Sequence, residues 1–233
     1  MPRFVMCINK LSEKIEYQFK DEALLRQALT HSSSGSVNYE RLEFLGDAVL
    51  ELFTSKWLFD KEPNMSEGSL TKLRAEMVCE ESLYSFALHM GIGSYIILGK
   101  GEALNGGREK PSILADIVEA ILGAIFLDGG YDEAAKFVLK QNIYAYEMIK
   151  IGRIKSDYKS ALQELLQKDG RNPELVYKEA GKEGSDHDPV FKTELYIKGQ
   201  LISEGKGRSK KNAEQNAAKA ALNILNSKEQ LHV

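Results

Sequence analysis

The stretch PSILADIVEAILGAIFLD constrains the fold most, because it contains a helix over residues 112–127 in which nearly every position is apolar. A helix that is apolar on all sides has no face for water, so it belongs in the interior with other helices around it. Two carboxylates interrupt it. Asp116 and Glu119 stand at i, i+3 and share a face. An unpaired buried carboxylate is costly, so the pair calls for protonation, a basic partner or a metal. No Lys or Arg lies between Ser112 and Lys136 to serve as a local partner. Oxygen-only ligation with no nearby His or Cys favours a hard cation such as Mg2+.

A second acidic stripe lies upstream in ERLEFLGDAVLEL, Glu40 to Leu52. On a helix, Glu40, Glu43 and Asp47 fall at i, i+3 and i+7, beside an apolar stripe of Leu42, Leu45, Val49 and Leu52. Like charges on one face repel, and a cation held between them would account for the arrangement. Glu40, Glu43, Asp47, Asp116 and Glu119 can together enclose divalent metal, a site suited to phosphodiester hydrolysis. Glu67, at the start of the next helix, reads either as a further member or as an acid that satisfies the helix dipole. Glu51 continues the stripe and reads as surface charge.

The remaining pattern up to residue 150 is helical. Asp21 caps a helix carrying Leu24, Leu25, Ala28 and Leu29, and residues 30–36 form a polar loop. The acidic helix runs to about Phe59, Ser66 caps the next, and Gly91 stops a fourth. The glycine-rich residues 91–111 read as loop. Gly129-Gly130 ends the apolar helix, and a last one carries Phe137, Val138, Tyr144, Ala145 and Met148 on one face. This is an all-α domain, placed at residues 4–150.

A basic connection, 149–156, leads to a different pattern. A helix over 157–168 is followed by strands over 174–180, 189–198 and 201–206, with a turn at Gly199-Gln200, and a helix over 209–226 with Ala213, Ala217, Ala220 and Ile224 inward. The order α-β-β-β-α makes a small α+β domain, placed at residues 155–226. The net charge of -3 conceals a division: residues 1–154 carry -5 and residues 155–233 carry +2. Lys206, Arg208, Lys210 and Lys211 cluster where the last helix begins. Cations there oppose the helix dipole, which makes sense if a polyanion docks, though a solvated lysine cluster is the plainer reading.

Cys7 and Cys79 are far apart and imply neither a disulfide framework nor a zinc site. The apolar run Phe4–Ile8 is too short for a signal peptide, and no run approaches the ~20 residues of a membrane span. The expectation is a soluble, cytoplasmic protein that needs no small-molecule cofactor.

ERLEFLGDAVL resembles the signature helix of ribonuclease III. THSS, SEGSLTKLRA and NGGREKPSILADIVEAILGAIFLD resemble further blocks of that family, in family order. DYKSALQELLQ and GKGRSKKNAEQNAAKAAL resemble the two helices of the double-stranded RNA-binding domain. The resemblance implies a Mg2+-dependent endonuclease, with Mn2+ as a possible substitute. It would cut double-stranded RNA to leave 5′-phosphates, 3′-hydroxyls and short 3′ overhangs. By position, Glu43, Asp116 and Glu119 match metal ligands, Asp47 and Glu119 the residues most tied to catalysis, and Glu40 and Glu67 supporting acids. Gln163, Glu164 and Gln167 match contacts to one minor groove and His187 to the next, with Lys210 and Lys211 on the phosphates between them. The resemblance also implies a homodimer in which Phe44 packs into the partner; an ordinary intramolecular core aromatic is the alternative. Relatives of this layout process ribosomal RNA precursors and some messenger and transfer RNAs. Two other readings stay open: a catalytically silent scaffold that binds double-stranded RNA, and a nuclease directed at DNA.

Overall fold

The computed structural model of the chain describes residues 10–154, 158–167, 174–185, 188–207 and 209–229. The chain divides into two compact units between Ile154 and Lys155.

Ten described helices build the first part of the chain and the flanks of the second. In the first unit these are α1 (residues 10–15), α2 (Glu22–Ala28), α3 (Glu40–Lys61), α4 (Glu67–Val78), α5 (Glu80–Met90), α6 (Lys100–Leu104), α7 (Pro111–Gly129) and α8 (Tyr131–Lys150). The apolar stretch becomes α7, started by Pro111 at its first turn and ended at Gly130, whose φ is 79°. Ile117, Ala120, Ile121, Ala124 and Ile125 are fully buried along it. It packs against α2, α3, α5 and α8, which gives every side of an all-apolar helix a partner.

The helix ends follow local chemistry. The Asp21 carboxylate accepts the Ala23 amide at 2.9 Å to begin α2, and Ser66 Oγ accepts the Ser69 amide at 3.4 Å to begin α4. Gly91 closes α5 in the left-handed region, with φ at 66°. Residues 91–111, expected as loop, are more ordered than that: two 3-10 turns, Ile92–Tyr95 and Gly107–Glu109, flank α6. The Arg108 guanidinium holds the segment by donating to the carbonyls of Gly93 at 3.1 Å and Ile96 at 2.7 Å. Helix α1, not foreseen, buries Leu11 and Ile15.

The approach of α3 to α7 is set by two glycines. A Cβ on Gly46 would lie 1.8 Å from the Glu119 carbonyl oxygen, and one on Gly123 would lie 2.2 Å from the Leu42 carbonyl oxygen. The backbones therefore touch, and the residues flanking the glycines are drawn together.

The second unit runs α9 (Tyr158–Gln167), β1 (Leu175–Ser185), β2 (Asp188–Ile197), β3 (Gln200–Gly207) and α10 (Lys210–Glu229). The three strands form an antiparallel sheet in the order β1-β2-β3. The β2–β3 turn is Lys198-Gly199, one residue earlier than expected. Both residues have positive φ, 51° and 77°, the backbone of a tight hairpin that follows the sheet's twist. On β2, Thr193 and Leu195 point inward as the alternation required. On α10 the buried positions are Ala213, Ala217, Ala218, Ala221 and Leu222, while Ile224 is exposed and Ala220 half-buried, which corrects the expected inward set of Ala220 and Ile224. Gly205 explains the shift: a Cβ there would lie 2.2 Å from the backbone of both Ala213 and Ala217. The 213–217–221 ridge therefore presses directly on β3. No helix among the described residues is long and apolar enough to cross a membrane.

Candidate active site

The glycine contact places the first two turns of α3 beside the middle turns of α7. One carboxylate oxygen each from Glu43, Asp116 and Glu119 lie within 4.8 Å of one another, and all three residues are half-buried. The i, i+3 spacing keeps Asp116 and Glu119 on one face of α7, and that face is the one turned to α3. Their proximity is electrostatically unfavourable, and the acidities record it. Burial, then the charges of Asp47, Asp116, Glu43 and Glu51, push Glu119 up to about 8. Burial, then Asp116, Glu40 and Asp47, push Glu43 up to about 7.

Asp47 and Glu40 are therefore close enough to act on the cluster, although both are exposed and outside the group of three. Glu67 also stands outside the group of three. It accepts a hydrogen bond from Thr71 Oγ1 at 3.0 Å in the first turn of α4, as a helix-terminal acid does. Glu51, expected as surface charge, pairs with Arg74 Nε at 2.9 Å and still bears on Glu119.

One residue of the site escaped the sequence reading. The Tyr39 hydroxyl donates to Asp116 Oδ2 at 2.9 Å. Burial and the neighbouring Asp116 carboxylate push that hydroxyl well above the usual tyrosine range. The available signal was a bulky aromatic at a helix start, where a small polar residue is usual.

Three clustered carboxylates with raised acidities and no nitrogen or sulfur donor among them match the donor set of a hard divalent cation. Held by Glu43, Asp116 and Glu119, such an ion would offset the repulsion and displace the protons.

Phe44, on the next face of α3, is 80% exposed, so it is not an intramolecular core aromatic. It borders a groove with Leu24, Leu45 and Leu127.

In the second unit, Gln163, Glu164 and Gln167 lie exposed along α9. Lys211 is exposed at the start of α10, whereas Lys210 is engaged in an ion pair with Glu179 of β1. Lys206 Nζ lies 3.8 Å from the Glu183 carboxylate. His187 and Arg208 lie outside the described residues.

Comparison with known proteins agrees with both halves. Residues 21–145 match the ribonuclease-III-like family, and residues 158–225 match the double-stranded RNA binding motif. The chain is 46% identical over 222 residues to ribonuclease 3 of Pelotomaculum thermopropionicum, covering 92% of each. It is also 46% identical over 223 residues to ribonuclease 3 of Bacillus licheniformis, covering 92% of this chain and 88% of that one. A solved nuclease domain of ribonuclease III from Campylobacter jejuni, flexible in a region involved in dimer formation, superposes with a TM-score of 0.58. It is 46% identical and covers 60% of this chain and 99% of that one. With the acidic cluster at the α3–α7 contact and a duplex-binding motif following it in sequence, the chain belongs to the ribonuclease III family.

Proposed function

We propose that this double-strand-specific endoribonuclease hydrolyses phosphodiester bonds at the α3–α7 cluster, with Glu43, Asp116 and Glu119 holding Mg2+ and with Mn2+ able to substitute. The observation that carries the reading is the convergence of three half-buried carboxylates, within 4.8 Å, against their own repulsion. When bound, the ion polarises the phosphoryl oxygen and makes water acidic enough to attack at neutral pH. Glu119 surrenders on loading the proton it otherwise keeps up to about pH 8. Asp47, exposed and within electrostatic reach of Glu119, takes the proton of the attacking water. Glu40 and Glu67 are supporting acids.

The nuclease domain spans residues 4–150 and the duplex-binding domain residues 155–226. Gln163, Glu164 and Gln167 face one minor groove, His187 the next, and Lys210 and Lys211 the phosphates between. The protein acts as a homodimer, with Phe44 seated in the partner and each subunit cutting one strand. That arrangement leaves 5′-phosphate and 3′-hydroxyl ends with short 3′ overhangs. The cellular substrates are ribosomal RNA precursors and some messenger and transfer RNAs, in the cytoplasm.

Digestion of a long RNA duplex in Mg2+, with end analysis and an EDTA control, tests this directly. Asp47→Ala and Glu119→Ala should each abolish cleavage while duplex binding persists. Binding without cleavage by the unaltered protein would establish a silent scaffold instead, and equal cutting of a DNA duplex would remove the RNA specificity.

A further inference from the structure

Tyr39 occupies the N-cap of α3, where Ser, Thr, Asp or Asn usually satisfies a free backbone amide. Its side chain makes no capping bond. That task falls one residue earlier, to Asn38 Oδ1, which accepts the Glu40 amide at 3.1 Å. Core packing accounts for the ring, which is 5% exposed and lies 5.7 Å from the His31 ring. It does not account for the hydroxyl. A phenylalanine would fill the same space without carrying a polar group inside. The hydroxyl instead reaches from the start of α3 to Asp116 on α7.

We propose that Tyr39 is a positioning residue for Asp116: its buried hydroxyl fixes the plane of that carboxylate for the cation. The inference rests on the reading of Glu43, Asp116 and Glu119 as metal ligands. The terminal torsion of an aspartate is broad, so the carboxylate plane is set by what bonds to it. Among like charges, an untethered carboxylate turns away from its neighbours. A hydrogen bond to an ionised acceptor is strong enough to oppose that.

The donor residue is itself anchored through its main chain. The Tyr39 amide donates to the Thr30 carbonyl at 2.9 Å, and the Tyr39 carbonyl accepts the amides of Leu42 at 2.8 Å and Glu43 at 2.9 Å. Thr30 is anchored in turn by a bridge to Ile97. One residue thus ties two ligands, Glu43 through the main chain and Asp116 through the side chain. Partners of this kind orient metal ligands before the ion arrives, and losing one typically weakens metal binding about 10–100-fold.

The test compares full-length Tyr39→Phe, Asp116→Asn and unaltered protein. Mn2+ binding is read by electron paramagnetic resonance and Mg2+ binding by calorimetry, both without RNA. The Mg2+ concentration for half-maximal cleavage is then set against the rate at saturating Mg2+. Tyr39→Phe should bind either ion about tenfold more weakly and shift the half-maximal concentration to match, with the saturated rate little changed. Unchanged affinity in Tyr39→Phe, with binding lost in Asp116→Asn, overturns the proposal and leaves the metal site standing. Unchanged affinity in Asp116→Asn removes the metal-site reading and this proposal with it. Circular dichroism of Tyr39→Phe should match the unaltered protein; loss of the fold would assign the hydroxyl to stability and overturn the positioning role.

Discussion

Without a metal, protons hold the acidic cluster together. Glu43 and Glu119 retain them up to about pH 7 and 8, whereas a carboxyl of the unfolded chain ionises near 4.5. Between those values the folded state binds more protons than the unfolded one, so stability falls as pH rises. The contribution is full below about 4.5 and lost once the pH passes about 8. Thermal midpoints in EDTA should therefore decline from about pH 5 to about pH 9, and saturating Mg2+ should flatten the decline. A rise over that interval in EDTA would mean that the carboxyls ionise normally. Asp116 and Glu119 were legible because α7 is so apolar that a carboxylate in it stands out, and Glu43 because it belongs to a stripe of like charges on α3. Tyr39 was not, since nothing in its neighbours along the chain announces a partner 77 residues away.

Elements were legible where their ends carry chemistry, as at Asp21, Ser66 and Gly91. Residues 91–111 misled because glycine content marks turns but says nothing of Arg108, which gathers carbonyls from across the segment. On α10, Ala213 and Ala217 are buried as expected, while Ala220 and Ile224 were misassigned because the buried face is chosen by the contact with Gly205 of β3 and not by helical period alone. The α3–α7 contact supports a sharp prediction. Gly46→Ala should destabilise the protein by about 1–3 kcal/mol in urea unfolding, because the new methyl meets backbone that no rotamer change can move. Weakened Mg2+ binding should accompany it. On α10, Lys211→Ala should lower duplex affinity for all sequences alike and reduce the slope of log affinity against log salt by about 0.9 in magnitude. An unchanged slope would take Lys211 off the phosphates.

Over the whole molecule, the two units were separable in sequence by charge and by the change from helical period to alternation. Each has its own core: α7 and its neighbours in one, and Leu162, Leu195, Ala217, Ala218 and Ala221 in the other. A chain ending at Ile154 should therefore unfold cooperatively and keep its metal affinity, while losing most of its affinity for duplex RNA in a gel-shift assay. Undiminished affinity would place duplex recognition in the nuclease unit.

The contact between Gly46 and Gly123 works as a ruler. Because main-chain atoms of α3 and α7 rest on one another, the gap between the ligand-bearing turns is fixed by atomic radii that no substitution elsewhere can alter. Core side chains around α7 can drift, and stability with them, while the spacing of the carboxylates stays the same. Such a chain can adapt to a new working temperature by repacking its interior without recalibrating its site.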